Sequence, residues 1–205
     1  MAAPLIGLWL SLIPTSDATS MVKLELNQLV DASDSIIRGK VTEMWVETDP
    51  RSNTIWTHAQ VEITSVLKGE LTDDVIILEQ PGGQHGHLGT IVEGVARFSI
   101  GEEGYFFVEK LNSDRYVTVG MYQGKYSVRL EPRSREEIVV RYSLHPAKAY
   151  DHRFIPYPDE SKMLFAKTFE ESILERIENG WDGKAIPGTS LERLERINTK
   201  TIGGQ

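Results

Sequence analysis

Between residues 35 and 142 the apolar positions recur mostly at every second residue, the spacing of half-buried strands. In the clearest stretch, Ile55 to Leu67, residues Ile55, Thr57, Ala59, Val61 and Ile63 share one face. Trp56, His58, Gln60, Glu62 and Thr64 share the other. The preceding stretch, Ser35 to Val46, is rich in β-branched and aromatic residues, with Gly39 at a bulge or close approach. Asp49-Pro50-Arg51-Ser52-Asn53 supplies the turn between them. Further strands are expected at Val75–Glu79, Thr90–Phe98, Tyr105–Lys110, Arg115–Val119, Lys125–Leu130 and Ile138–Tyr142. Many short strands with a turn signal about every ten residues mean a sandwich or barrel. No crossover helix precedes residue 160, which excludes a doubly wound sheet.

The ends of this region read differently. Val22 to Leu26 alternates like a strand, and Asn27 to Ala32 reads as a short helical turn. Leu144 to Pro158 reads as an extended strap. Thr168 and Glu171 form a capping box for a helix carrying Phe169, Ile173, Leu174 and Ile177 on one stripe and stopping at Asn179-Gly180. Thr189 and Glu192 repeat the signal for a shorter helix. At the start, Leu5 to Ile13 is an apolar run closed by Pro14 and followed by small residues. It is too short to span a bilayer, which takes about 20 residues. It matches the hydrophobic core and cleavage zone of a secretory signal peptide, although no Lys or Arg precedes Lys23. The expected organisation is a signal-peptide-like segment at 1–18, a β domain at 19–142, and a strap with helices at 143–205 packed on it.

Composition narrows the function classes. The chain has 205 residues, 22 Lys and Arg against 30 Asp and Glu, and a net charge of −8. Such a surface repels a phosphate backbone, so no nucleic-acid partner is expected. There is no cysteine, which removes disulfides, thiolate metal sites and a cysteine nucleophile together. An exported chain without disulfides suits a bacterial periplasm or secreted space.

Two stretches carry a resemblance. Ala32-Ser33-Asp34-Ser35-Ile36-Ile37-Arg38-Gly39-Lys40-Val41 and Val61-Glu62-Ile63-Thr64-Ser65-Val66-Leu67-Lys68-Gly69 resemble the opening strands of netrin-module and tissue-inhibitor-of-metalloproteinase-like OB barrels. The chain resembles more closely a group of exported bacterial proteins of unknown function. These continue with a Pro-Gly-Gly loop, a Gly-Glu-Glu turn before an apolar strand, and a Gly-x-x-x-Gly-Lys strand. The matching positions are Pro81-Gly82-Gly83, Gly101-Glu102-Glu103 before Tyr105-Phe106-Phe107, and Gly120 to Tyr126. The likeness covers roughly residues 22–130 and implies a mainly β fold, an antiparallel OB-like barrel with a C-terminal α-helical extension. The metalloproteinase inhibitors chelate zinc through an N-terminal cysteine, so that mechanism does not carry over.

Candidate chemistry is sparse. His85-Gly86-His87 places two imidazoles on a glycine-rich loop, where Gln84, Glu93 or His58 could complete a metal site. The same loop reads equally as a polar, exposed segment. Its glycines match neither phosphate-binding motif. The pairs Glu102-Glu103, Glu136-Glu137 and Glu170-Glu171 read as solvated charge, since neighbours in a turn point apart instead of facing across a cleft. No nucleophile elbow, catalytic set or cofactor motif is present. The expectation is an exported, non-enzymatic binding or accessory module with a protein partner and no integral membrane span. Gln84, His85, His87 and Trp56 form its candidate partner-binding loop. The alternatives are a loop-inserting protease inhibitor without cysteine chelation, and a metal-binding protein or metal-dependent hydrolase using His85 and His87.

Overall fold

The computed structural model describes residues 21–112, 115–141, 149–150 and 164–187. The signal-peptide-like run, most of the strap and the second C-terminal helix lie outside them. The protein is mainly β, with one large mixed sheet and a C-terminal helix. Its elements are β1 (Met21–Val22), α1 (Leu26–Ala32), β2 (Ser35–Thr48), β3 (Ile55–Lys68), β4 (Val75–Pro81), β5 (Gly83–His85) and β6 (Leu88–Thr90). There follow β7 (Glu103–Lys110), β8 (Arg115–Thr118), a 3-10 turn (Met121–Gly124), β9 (Lys125–Leu130), β10 (Glu137–Val140), β11 (Ala149–Tyr150), β12 (Leu164–Phe165) and α2 (Ala166–Asn179).

The large sheet runs β12-β10-β9-β7-β2-β3-β4-β8, and β8 also pairs with β7. The pairings β7–β2–β3–β4–β8–β7 therefore form a continuous circuit. The β4–β8 pair is parallel, as is the small β1–β11 pair, so the sheet is mixed where antiparallel pairing alone was expected. The β2–β3 register closes at Thr48 opposite Ile55 and shifts between Arg38 and Gly39. That is the bulge expected at Gly39, where a Cβ would sit 2.6 Å from the Glu62 carbonyl oxygen.

Residues 91–102 carry no strand, although Thr90–Phe98 reads as one. Burial alternates there (Gly94, Ala96 and Phe98 inward), but these residues join no ladder. Similarly, the N-terminal alternation yields a strand of only two residues before α1. Helix α2 begins at Ala166, two residues before the expected cap, with Phe165 at the N-cap and no side-chain cap bond. It ends at Gly180 as read, with φ 68° and its N–H donated to the Arg176 and Ile177 carbonyls. Phe169 and Ile173 are buried, whereas Leu174 turns outward.

Two cores result. Ile36, Tyr105 and Phe107 face the helices and meet Leu29, Phe169 and Ile173. Ile37, Val41, Phe106 and Val108 face the other way and meet Ala59, Val61, Ile76 and Leu78. Strands β2 and β7 are thus buried on both faces, which explains the unbroken apolar run Tyr105-Phe106-Phe107-Val108.

The carboxylate pairs are solvated only in part: Glu136 and Glu171 are exposed as expected, whereas at least one member of each pair meets a cation. Arg38 on β2 gathers one member from separate elements: its Nη2 lies 2.7 Å from Glu103 and 2.8 Å from Glu137, and its Nη1 4.0 Å from Glu170. The Tyr105 hydroxyl donates to Glu170 at 2.7 Å. Glu102 accepts from Lys125 at 2.7 Å and from the Ser127 hydroxyl at 2.5 Å. Burial pushes the Lys125 ammonium below its usual range. Neighbours do point apart, as sequence geometry requires: Glu102 and Glu103 meet different cations, while Glu137 and Glu170 turn to Arg38 and leave Glu136 and Glu171 facing water.

Candidate functional site

The candidate loop forms a hairpin seated on the far end of the β2–β3 pair. Pro81 ends β4; Gly82 and Gly83 then reverse the chain at φ 95° and 132°. Strands β5 and β6 pair Gly83 with Thr90, Gln84 with Gly89 and His85 with Leu88, around a Gly86-His87 turn. The base is fixed by two bonds, from the Gly82 N–H to the Ile55 carbonyl (2.7 Å) and from the Thr57 hydroxyl to the Gly82 carbonyl (2.7 Å). A Cβ at Gly83 would lie 2.5 Å from Thr57 Oγ1 and 3.1 Å from Val46 Cγ1, so only glycine allows this approach.

The structure brings part of the sequence-predicted set together. His85 Nδ1 lies 2.9 Å from the Thr48 hydroxyl, tying the hairpin to the last residue of β2. Trp56 is half-buried, in register with Glu47 on one side and Pro81 on the other. Gln84 and His87 point to solvent. Among the described residues no group of three or more His, Cys, Asp or Glu is placed to hold a metal ion. Glu93 is exposed on the segment after the hairpin.

Two concavities flank the hairpin. One, about 470 Å3, is lined mainly by apolar groups, among them Met44, Val92, Val95 and Phe98. Leu88 (64% exposed) and Ile91 (82%) stand out of the hairpin and its exit. Buried Gln80 lines this groove; its Nε2 donates to the Thr118 hydroxyl at 3.2 Å, but its Oε1 has no hydrogen-bond partner. Burying an unpaired amide oxygen costs about 1–3 kcal/mol.

The second is a polar cleft of about 390 Å3. His58 on β3, Glu79 on β4 and Arg115 on β8 line it, and Trp45 on β2, opposite His58 in the β2–β3 register, continues this row across a fourth strand. The His58 imidazole, 2% exposed, stacks on the Trp45 indole with centroids 5.1 Å apart and planes 13° apart. Its Nδ1 is 3.3 Å from Glu79 Oε1 and its Nε2 3.6 Å from Glu47 Oε2, yet Nδ1 makes no hydrogen bond. Arg115 Nη1 holds Glu79 Oε1 at 2.6 Å. At the rim, Asp49 accepts from the Arg51 backbone N–H (2.8 Å) and the Ser52 hydroxyl (3.0 Å), which hold its carboxyl below the usual range.

Sequence reasoning missed Glu47, Glu79 and Arg115, and left His58 only as a spare metal ligand. Part of the signal was available. A turn closed between Thr48 and Ile55 sets Trp45 opposite His58 and Glu47 opposite Trp56. Placing Glu79 next to His58 further requires the β3–β4 register, which the polar loop Gly69–Asp74 does not disclose.

No helix among the described residues is long and apolar enough to cross a membrane. No protein-family model matches the chain, and no curated protein matches it.

Proposed function

We propose that this protein is an exported, non-enzymatic binding module in which an OB-like barrel presents the β5–β6 hairpin and its apolar groove to a protein partner. The barrel reading is supported by the continuous β7–β2–β3–β4–β8–β7 circuit and by the parallel β4–β8 pair, which lets a five-stranded arrangement close on itself. The netrin-module-like motifs agree with it. The strap and helices would then be an extension laid on the barrel, with α2 already packed against α1 and β10 through Phe169 and Ile173.

One observation carries the functional reading. Leu88 and Ile91, two large apolar side chains, stand exposed beside an apolar groove on a hairpin whose base is rigidly bonded. Exposed apolar groups gathered at one concavity mark an interaction surface, and a pre-anchored loop loses little entropy on binding.

The test is site-specific photo-cross-linking in the native envelope, with the probe at position 88 and a control probe at exposed Leu130 on β9. The reading requires one reproducible partner from position 88 only, lost when Ile91→Ser is added. Identical patterns from both positions, or none from position 88, would refute it.

A further inference from the structure

We infer that the polar cleft beside the hairpin is a receptor for one basic side chain, the ammonium or guanidinium of a lysine or arginine, carried by the partner that the hairpin engages; to that extent it rests on the reading above. The cleft adjoins the hairpin directly, because Thr48, which lines it, is the residue that meets His85 at 2.9 Å. A partner seated on Leu88 and Ile91 is therefore within a side chain's reach of it.

The chemistry of the cleft selects a cation. Glu79 already holds one guanidinium, that of Arg115, at 2.6 Å. Glu47 has no such match: its Oε1 accepts the Trp45 indole N–H at 3.0 Å, and its Oε2 has only the His58 imidazole, at 3.6 Å. Asp49 adds a further ionised carboxylate at the rim. Trp56 supplies an aromatic wall in register with Glu47, the surface on which an ammonium or guanidinium gains most from a ring.

Independently of these charges, the His58 Nδ1 atom is enclosed in the cleft floor with no hydrogen-bond partner. A fold shaped for stability alone would place an apolar ring on Trp45, since an unpaired buried polar atom costs free energy. A volume of about 390 Å3 admits one long side chain, not a folded segment. The chain's net charge of −8 draws cations toward it, whereas an acidic group would meet Glu47 and Asp49.

The test titrates the full chain at low salt with three blocked tripeptides, glycine-lysine-glycine, glycine-arginine-glycine and glycine-glutamine-glycine, followed by NMR. The Trp45 indole N–H, bonded to Glu47, and the Trp56 indole N–H are the reporters. The two basic peptides should give saturable shifts at both, and the glutamine peptide none. Glu47→Gln and Trp56→Ala should each weaken binding roughly three- to tenfold. Both positions are partly exposed, so the folded state survives, and unchanged amide spectra elsewhere verify it.

Absence of saturable shifts with either basic peptide, equal shifts with the glutamine peptide, or unaltered affinity in both variants would overturn the inference. Leu88→Ser separates the two readings. It should abolish partner cross-linking while leaving the tripeptide titration intact. A cleft that binds lysine peptide in a protein that cross-links nothing at position 88 keeps the cation site and discards the hairpin surface.

Discussion

The helix-covered region and the hairpin end of this protein use the same kinds of side chain to opposite effect. Beneath α2, nearly every charged group is matched. Arg38 holds Glu103 and Glu137, Arg176 reaches Asp31 at 2.6 Å, and Lys68 donates to the Val30 and Ser33 carbonyls at 2.6 and 2.8 Å, capping α1. At the hairpin end, buried His58 Nδ1 and Gln80 Oε1 have no partner, Glu47 has no strong cation, and Leu88 and Ile91 face water. Satisfied polar networks fix a structure, whereas buried groups left unpaired give up stability at the place where they sit. The difference sets a closed, satisfied region apart from an open one, and the open one is where the proposed binding surface lies.

That contrast can be broken by mutation. The largest effect should come from Phe169→Ala, which empties a site packed against Tyr105, Phe107 and Tyr126 at ring separations of 5.2, 6.2 and 4.6 Å. A loss of about 3–5 kcal/mol in urea unfolding is expected. Arg176→Ala, which strands the buried Asp31 carboxylate, should cost about 3 kcal/mol. Its signature is detachment of α2, visible as faster amide exchange in both helices.

Gly83→Ala is the strongest perturbation available at the open end, because the new Cβ must displace Thr57 and Val46. About 1–3 kcal/mol should be lost, with partner cross-linking from position 88 lost in parallel. His58→Phe should instead be neutral or stabilising by up to about 1 kcal/mol, since it removes the orphan nitrogen and keeps a ring on Trp45. Strong destabilisation there would show that His58 is structural.

The smallest effect concerns pH. The Asp49 carboxyl is held below its ordinary value of 3.8, chiefly by the Arg51 backbone N–H. A lowered folded-state pKa gives stability that is present above the unfolded value and lost as pH falls through the folded one. Stability should therefore decline slightly with acid below about pH 4, and Asp49→Asn should flatten that share of the slope. An Asp49 titration by NMR with a midpoint at or above 3.8 would contradict it.

Most strands were legible because their signal is local. Ile55 to Leu67 shows its period directly, and Asp49 to Asn53 shows its turn. The segment Thr90–Phe98 misled for a physical reason: its inward residues are fixed by packing near Met44 and Phe106 without any ladder. Thr168 misled because α2 starts from β12, whose pairing to β10 sets the helix entry ahead of the cap signal. In the candidate site, the glycines marked an exposed loop at residues 82–89, but not its pairing into the β5–β6 hairpin. The Trp45–His58–Glu79–Arg115 row was not, because it depends on three inter-strand registers at once.

Strand β8 has a further consequence. Only four residues long, it is the piece that joins Leu78 on β4 to Lys110 on β7. During synthesis, β2, β3 and β4 can pair as soon as they emerge, but β4 keeps a naked edge until Thr118 has left the ribosome. Such an edge is the template on which chains aggregate. Closing it late and over a long loop makes acquisition of the native state slow relative to hairpin formation. Production of this protein should therefore depend on holding that half-built sheet apart from its copies, and a chain truncated before Arg115 should precipitate where the full one stays in solution.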